Sequence, residues 1–394
     1  MVPRLTVVVV LGALLLAAPL RADEPPPEAI LADLPFLDSD EVNRIYVDLA
    51  PEGKKRRLPI LLDTGAVFSV FTPRAARAAG VHIRRAKAGP YRRATALGRD
   101  LLFYVDAERS DTGSRTGREY GLLGGNFLAD YVLELDFHAR RVRFLDPKRY
   151  EVPETVDAPG EAVIPLEMVS SRPGLTIELN GKATTVLLDT GAPDALVLSG
   201  KLARAAGIES APLPGFGMAG VMGAVESEFA EVERMQIGPF GFEGVPAGVA
   251  PRGWHNLGFP GDSVLGYDVL AQFHVRIDYR RKRLWLHRDP EARMTLFGVD
   301  YDLYRKSGAL LVPARQGFHV YAVLPGSRAE ARGVRPWDFL ATSESATHVV
   351  AGIMSGGALQ VIRSVDEAPV EVVLEAGEGS SPAAAQPSAA PDGD

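Results

Sequence analysis

Residues 58–72 read LPILLDTGAVFSVFT, and residues 184–199 read TTVLLDTGAPDALVLS. Both carry a Leu-Leu-Asp-Thr-Gly-Ala core, with Asp189 lying 126 positions after Asp63. In each copy an apolar, strand-forming run delivers the Asp, and the following Gly permits a tight turn and the close approach of another segment. A second pair of blocks follows in the same order. Residues 121–144 read GLLGGNFLADYVLELDFHARRVRF and residues 263–286 read SVLGYDVLAQFHVRIDYRRKRLWL. Gly124 matches Gly266 and Asp136 matches Asp278, each at an offset of 142, so the second unit holds 16 extra residues between its blocks. Two matched blocks in matched order define a duplication, which an isolated tripeptide does not. Asp111-Thr112-Gly113 makes the contrast, because it sits in the polar run ERSDTGSRTGRE with no apolar strand before it and reads as a surface loop.

The repeats organise the chain. Alternation in Tyr131–Phe137 and Phe273–Tyr279 predicts strands with one wet face, and Thr72-Pro73 followed by Arg74–Ala79 predicts a short capped helix. Two mainly β lobes are expected at 42–148 and 163–289, joined by a polar linker at 149–162. Residues 23–41, acidic and proline-rich, read as a leader or linker. A third region at 299–375 combines strand-like and helix-like segments, with a helix expected near Arg328–Arg332. Residues 376–394, GSSPAAAQPSAAPDGD at their core, have almost nothing to bury and read as a disordered tail. At the other end, Arg4 and the apolar stretch Leu5 to Ala18 have the order of a secretory signal over 1–22, with Ala22 as a cleavage point. Export to a periplasmic or extracellular compartment is expected, with no later membrane span. An uncleaved N-terminal membrane anchor is the alternative.

Composition narrows the chemistry. The 394 residues contain 40 Gly and 30 Pro, too many turns for an all-helical chain. A net charge of -7 disfavours a nucleic-acid coat. The absence of Cys removes disulfides, thiolate metal sites and a cysteine nucleophile. The seven His are scattered without a His-x-x-x-His pair, and neither phosphate-loop nor Gly-x-Ser-x-Gly motifs occur, so no metal or cofactor is expected.

A duplicated fold that meets along a pseudo-two-fold axis brings identical loops face to face. That would place the Asp63 and Asp189 carboxyls together, where they cannot both ionise cheaply and share a proton. The ionised member can then take a proton from water while the protonated member donates to a carbonyl oxygen, which is acid–base amide hydrolysis.

These residues resemble the aspartic proteases, specifically two retropepsin-like lobes in tandem. The pattern is apolar-apolar-Asp-Thr-Gly-Ala, then apolar-apolar-Gly, present as Leu61–Ala66 with Leu122–Gly124 and as Leu187–Ala192 with Val264–Gly266. Ala66 and Ala192 stand where pepsin-type lobes carry a hydroxyl, which favours the retropepsin kind. The resemblance implies a single-chain endopeptidase that acts on extended polypeptide segments. It makes Asp63 and Asp189 catalytic, with Gly65 and Gly191 in their loops and with Thr64 and Thr190 bonded across the lobe junction. It also implies a flap, for which GFGMAGVMG at 215–223 is the candidate, with Phe216, Gly217 and Met218 over the substrate. In the first lobe the corresponding stretch, Gly89-Pro90-Tyr91-Arg92-Arg93, is less flap-like. The alternative is a non-catalytic peptide-binding protein on the same scaffold.

Residues 323–336, VLPGSRAEARGVRP, resemble part of a PDZ domain, a small α+β fold. The resemblance implies that Ser307-Gly308-Ala309-Leu310-Leu311 would hold a C-terminal peptide carboxylate through backbone N–H groups. Trp337 stands where the pattern has a turn glycine, the region after it matches the pattern poorly, and the alternative reading is that Trp337 covers a small core.

Overall fold

The computed structural model describes residues 24–37, 43–49, 58–78, 91–97, 99–105, 121–220, 223–251, 257–296, 299–314, 316–356, 358–365 and 368–374. The fold is mainly β, with mixed sheets. The tail, the N-terminal segment read as a signal, and Asp111-Thr112-Gly113 lie outside the described residues.

The two sequence copies build the same local topology. In the first, Pro59–Leu62 pairs in parallel with Gly121–Leu123, which pairs antiparallel with Ser69–Phe71. In the second, Lys182–Leu188 pairs in parallel with Val264–Leu265, which pairs antiparallel with Leu196–Ser199. The apolar-apolar-Gly strand is thus inserted between the two strands flanking each Asp-Thr-Gly turn. Its position explains why both blocks recur together: neither Asp loop closes without the insert. Each insert ends in Gly124 or Gly266 and enters a one-turn helix, Gly125–Leu128 or Tyr267–Leu270.

A six-stranded antiparallel layer joins the units. Val132–Asp136 of the first pairs with Phe273–Asp278 of the second, with Leu135 opposite Val275 and Leu133 opposite Ile277. Arg141–Leu145 and Arg283–Arg288 flank this pair, and Glu161–Val169 extends one side. On one layer face Glu134 is buried and accepts from His274 at 2.7 Å and from Arg276 at 3.1 Å. The Arg276 guanidinium also lies 4.2 Å above the Trp285 ring. Burial pushes the Glu134 carboxyl up, but the bond from His274 and the charges of Arg276, His274 and Arg143 outweigh it and hold it below its ordinary range.

The stretch read as leader does more than connect. Ile30–Pro35 forms the edge strand of this layer, paired with Arg141–Leu145 and fixed by Asp33, which bonds Arg141 at 2.6 Å. Its inward residues Ala32 and Leu34 pack against the core, an alternation that the acidic and proline-rich composition conceals. The expected linker is tied down as well: Val152 is buried beside Trp285, and its backbone bonds Asp278 and Arg283.

Residues 309–374 form a five-stranded antiparallel sheet in the order Ala309–Ala314, Gly317–Val323, Phe339–Ala341, Leu359–Val365, Ala368–Leu374. Helices Tyr301–Ser307, Arg328–Ala331 and Ala346–Ser355 accompany it around a core that includes Leu311, Val320, Ala329 and Ile353. Among the described residues no helix is long and apolar enough to cross a membrane.

Candidate active site

The two Asp-Thr-Gly turns meet at the junction of the units. Thr64 Oγ1 donates to the Leu188 carbonyl at 2.8 Å and accepts from Thr190 N at 3.0 Å. Thr190 Oγ1 donates to the Leu62 carbonyl at 2.7 Å and accepts from Thr64 N at 3.2 Å. Both threonines are fully buried, so the four bonds have no competing water. Each hydroxyl serves as donor and acceptor at once, a double duty that Ala or Val cannot fill.

This crossing holds the carboxyls side by side, hydrogen-bonded to each other. The glycines make the approach possible. A Cβ on Gly65 would lie 2.4 Å from Asp189 Cγ, and one on Gly191 would lie 2.8 Å from Asp63 Cγ. Each turn therefore sits beneath the carboxylate of the opposite copy, at a distance no side chain tolerates.

The two carboxyls meet unequal sets of backbone donors. Asp189 Oδ1 accepts from Gly191 N at 2.7 Å and from Gly65 N at 3.3 Å, while Asp63 Oδ1 accepts from Ala66 N at 2.8 Å. Two N–H donors favour the ionised form of Asp189 more than one favours that of Asp63. Burial, the Asp189 charge and the bond to Asp189 hold Asp63 well above the ordinary carboxylate range, against the pull of Ala66 N–H and of the Arg44 charge. Burial also raises Asp189, but the bonds from Gly191, Asp63 and Gly65, and the Arg44 charge, offset part of it. Both carboxyls are therefore raised, and Asp189 meets one more backbone N–H donor than Asp63 does.

Several groups here carry no motif. Arg44, which precedes the first-unit strand Tyr46–Asp48, places its charge where it lowers Asp63, Asp189 and Asp194 alike. Asp194 is buried, and burial raises it to about 6 despite Arg44. Its neighbour Asp268 is pushed well above the ordinary range by burial and by the Asp194 charge. Asn43 donates to Asp268 Oδ1 at 2.8 Å and to the Pro193 carbonyl at 3.2 Å, and Thr295 also donates to Asp268 Oδ1. Asp268 occupies the place of Asn126, whose amide bridges Ser69 and the Leu102 carbonyl in the first unit. That mismatch between copies was readable; nothing in the sequence around Arg44 sets it apart. Tyr279 is buried close enough to the pair that both carboxylates, after burial itself, raise its hydroxyl.

The six Asp, Thr and Gly positions read from the sequence come together. The residues read as a flap lie on an antiparallel hairpin of the second unit. Gly217 and Met218 stand on the strand Ser210–Gly220, opposite Glu226 and Val225. Phe216 is buried in a cluster with Leu310, Ala322 and Tyr304 of the C-terminal region. The first-lobe stretch falls outside the described residues up to Pro90, and Tyr91–Ala96 pairs with Arg99–Val105. In the loop read as a carboxylate holder, two N–H groups have partners close by. Gly308 N–H caps helix Tyr301–Ser307 by bonding the Tyr304 carbonyl at 2.7 Å, and Ala309 N–H bonds Ser307 Oγ at 3.1 Å. Trp337 covers no core: it is 65% exposed with φ of 72° and contacts Tyr321 edge-on.

A cavity of about 770 Å³ on the second unit, lined by Thr176, Lys182, Ser199, Lys201, Arg204 and Asp262 among others, includes no residue of either Asp-Thr-Gly turn. No set of three or more His, Asp or Glu among the described residues is grouped to hold a metal ion.

Residues 175–269 match a family model described as aspartyl protease, which makes the chain a distant match to the superfamily of retropepsins and pepsins. Among solved structures it is similar to a retropepsin-like aspartic protease from Rickettsia conorii, at 20% identity and a TM-score of 0.25, over 33% of this chain and 91% of that one. It is also similar to basic 7S globulin from soybean, at 14% identity and a TM-score of 0.36, over 65% of this chain and 94% of that one. No curated protein matches.

Proposed function

We propose that the chain is an aspartic endopeptidase that hydrolyses peptide bonds in extended polypeptide segments. The observation that carries the reading is the hydrogen-bonded pair Asp63 and Asp189, supplied by two copies of one motif and locked by the crossed threonines. In this mechanism the Asp189 carboxylate removes a proton from a water held between the acids, and the water oxygen bonds to the scissile carbonyl carbon. Asp63 passes its proton to the carbonyl oxygen as the C=O π pair moves onto that oxygen. The tetrahedral diol collapses when the proton now on Asp189 reaches the amide nitrogen and the C–N bond breaks. Asp63 regains a proton from a hydroxyl of the diol, so the pair ends with the single proton it began with.

The scheme needs one proton on the pair. It predicts a bell-shaped rate profile, with the acid limb set by protonation of Asp189 and the alkaline limb by ionisation of Asp63. Because both are raised, the bell lies above the ordinary carboxylate range rather than around it. In the same reading, residues 42–148 and 163–289 are the two lobes, 299–375 is a PDZ-like module, and the chain is exported. The test is cleavage of an unfolded protein from pH 3 to 8 by the full chain, by Asp63→Asn and by Asp189→Asn, with a chelator and with a statine-type peptide. Both variants should lose activity while keeping their circular dichroism, the chelator should do nothing, and the peptide should inhibit. Cleavage that survives either substitution, or that a chelator abolishes, would overturn the mechanism. Statine-peptide binding by an intact chain that cleaves nothing would favour the peptide-binding alternative.

A further inference from the structure

The strand Ser210–Gly220 is irregular at one place. Pro212 faces Glu228 and Gly217 faces Glu226, so this strand advances five residues while its partner Gly223–Ile237 advances two. The four residues 213–216 therefore stand against one residue of the partner, Ser227, and are extruded from the ladder. Leu213 and Phe216, at the ends of the extruded segment, are both buried, and they are buried in the C-terminal region: their cluster contains Leu296, Val299, Tyr301, Tyr304, Leu310 and Ala322. An aromatic series crosses the boundary. Phe216 meets Phe229 edge-on at 5.4 Å, and Phe229 meets Tyr304 edge-on at 6.1 Å. Lower on the same hairpin, Glu231 accepts from the Tyr301 hydroxyl at 2.7 Å and pairs with Arg305 at 3.1 Å. Helix Tyr301–Ser307 thus grips the hairpin at two levels, while the Gly308 N–H caps that helix at the Tyr304 carbonyl and the Ala309 N–H bonds Ser307 Oγ.

We propose that the C-terminal region is a buttress for the second-unit hairpin, with Leu213 and Phe216 as positioning residues that fix where the hairpin stands. An extruded segment that leaves its ladder to enter another core fixes the hairpin laterally as well as at its base. A free hairpin, by contrast, would swing on its glycines. The region's core function in this chain is then mechanical, and anything that loosens helix Tyr301–Ser307 loosens the hairpin. The link to catalysis rests on the proteolytic reading; the mechanical coupling itself does not.

The experiment uses the full chain and two independent readouts, amide hydrogen exchange and cleavage of an unfolded polypeptide. Phe216→Ala, and from the opposite side Leu310→Ala, should each speed exchange along 210–220 and 223–237 by about ten-fold or more. Val132–Asp136 and both Asp-Thr-Gly turns should keep their protection. KM should rise several-fold with kcat little changed, and Phe216→Leu should restore most of both. The double variant should exchange less fast than the sum of the two single effects, since both changes empty one cluster. Tyr301→Phe, which removes only the bond to Glu231, gives the same direction of change if either truncation fails to fold. Unaltered hairpin exchange in Leu310→Ala or Tyr301→Phe, or acceleration spread evenly over the chain, would overturn the proposal. A hairpin that responds in a protein that never cleaves would sink the proteolytic reading and leave the buttress standing.

Discussion

Thr64→Val tests the junction with little change of volume. The substitution keeps the side chain's shape and removes its hydroxyl, so the Leu188 carbonyl loses its donor and the Thr190 N–H loses its acceptor. Both orphaned groups lie where Leu188 and Thr190 are fully buried, and no water replaces the bond. An unsatisfied buried polar group costs about 1–3 kcal/mol, which sets the loss at about 2–6 kcal/mol. Thr190→Val repeats the arithmetic through the Leu62 carbonyl and the Thr64 N–H. The two sets of bonds share no atom pair, so the double variant should approach the sum unless the turns have already parted. Urea unfolding of the full chain, followed by tryptophan fluorescence, would report the change, with Thr155→Val at an exposed position as the control. Because the chain has more than one core, the transition read should be the one that also exposes the layer joining the units. A loss below about 1 kcal/mol for either buried threonine, matching the control, would refute the claim that these bonds hold the turns together.

Gly65→Ala should leave the secondary structure in place and cut cleavage by about 100-fold, because the added methyl displaces the Asp189 carboxyl from its partner; unimpaired turnover would contradict the packing. Asp194 offers a stability test against pH. Its value is raised from 3.8 to about 6, so its protonated form stabilises the fold below the unfolded value, and that contribution is lost as pH rises through about 6. The groups facing it are Arg44, Asp268 and Tyr321. Asp194→Asn should flatten the fall in melting temperature between pH 4 and 7, a slope worth about 3 kcal/mol, and an unchanged slope would exclude Asp194 as its source. Glu134 runs the opposite way: held low by His274 and Arg276, it contributes stability above its ordinary 4.5 that is lost as pH falls, so Glu134→Gln should destabilise most at neutral pH in calorimetry. Asp111→Asn should leave cleavage nearly unchanged, and a large loss would reopen the choice of acids.

The acids, their glycines and the crossed threonines were legible because each is forced by backbone geometry that recurs at a fixed interval. A turn that must pass beneath a carboxylate needs Gly65 or Gly191, and a strand inserted beside it needs Leu122-Leu123 or Val264-Leu265. What failed was direction. Phe216 in a glycine-rich stretch reads as a lid residue, and only the pairing register reveals the extruded segment that turns it toward Tyr304. Ile30–Pro35 failed for a related reason. Its alternation of Ile30, Ala32 and Leu34 is too short to stand out against acidic and proline-rich flanks, and its meaning depends on the strand Arg141–Leu145 far along the chain.

Duplication within one chain also explains why the pair is asymmetric. In a symmetric dimer each loop would meet an identical environment, and the shared proton would have no preferred owner. Here the copies have diverged around a retained centre. Asn126 ties the first unit to itself through Ser69 and Leu102, whereas Asp268 at the matching place reaches back to Asn43, which stands next to Arg44. Asp189 also has a donor from the opposite turn, Gly65 N–H, in addition to its own Gly191 N–H. Divergence outside the turns can therefore bias which acid holds the proton while the turns themselves stay under the steric limit that keeps both glycines. The C-terminal region adds to this asymmetry, since helix Tyr301–Ser307 and its sheet engage the hairpin of the second unit through Phe216, Phe229 and Glu231. A single chain can thus place its two acids in unequal surroundings and, through a separate set of contacts, hold one particular hairpin in place.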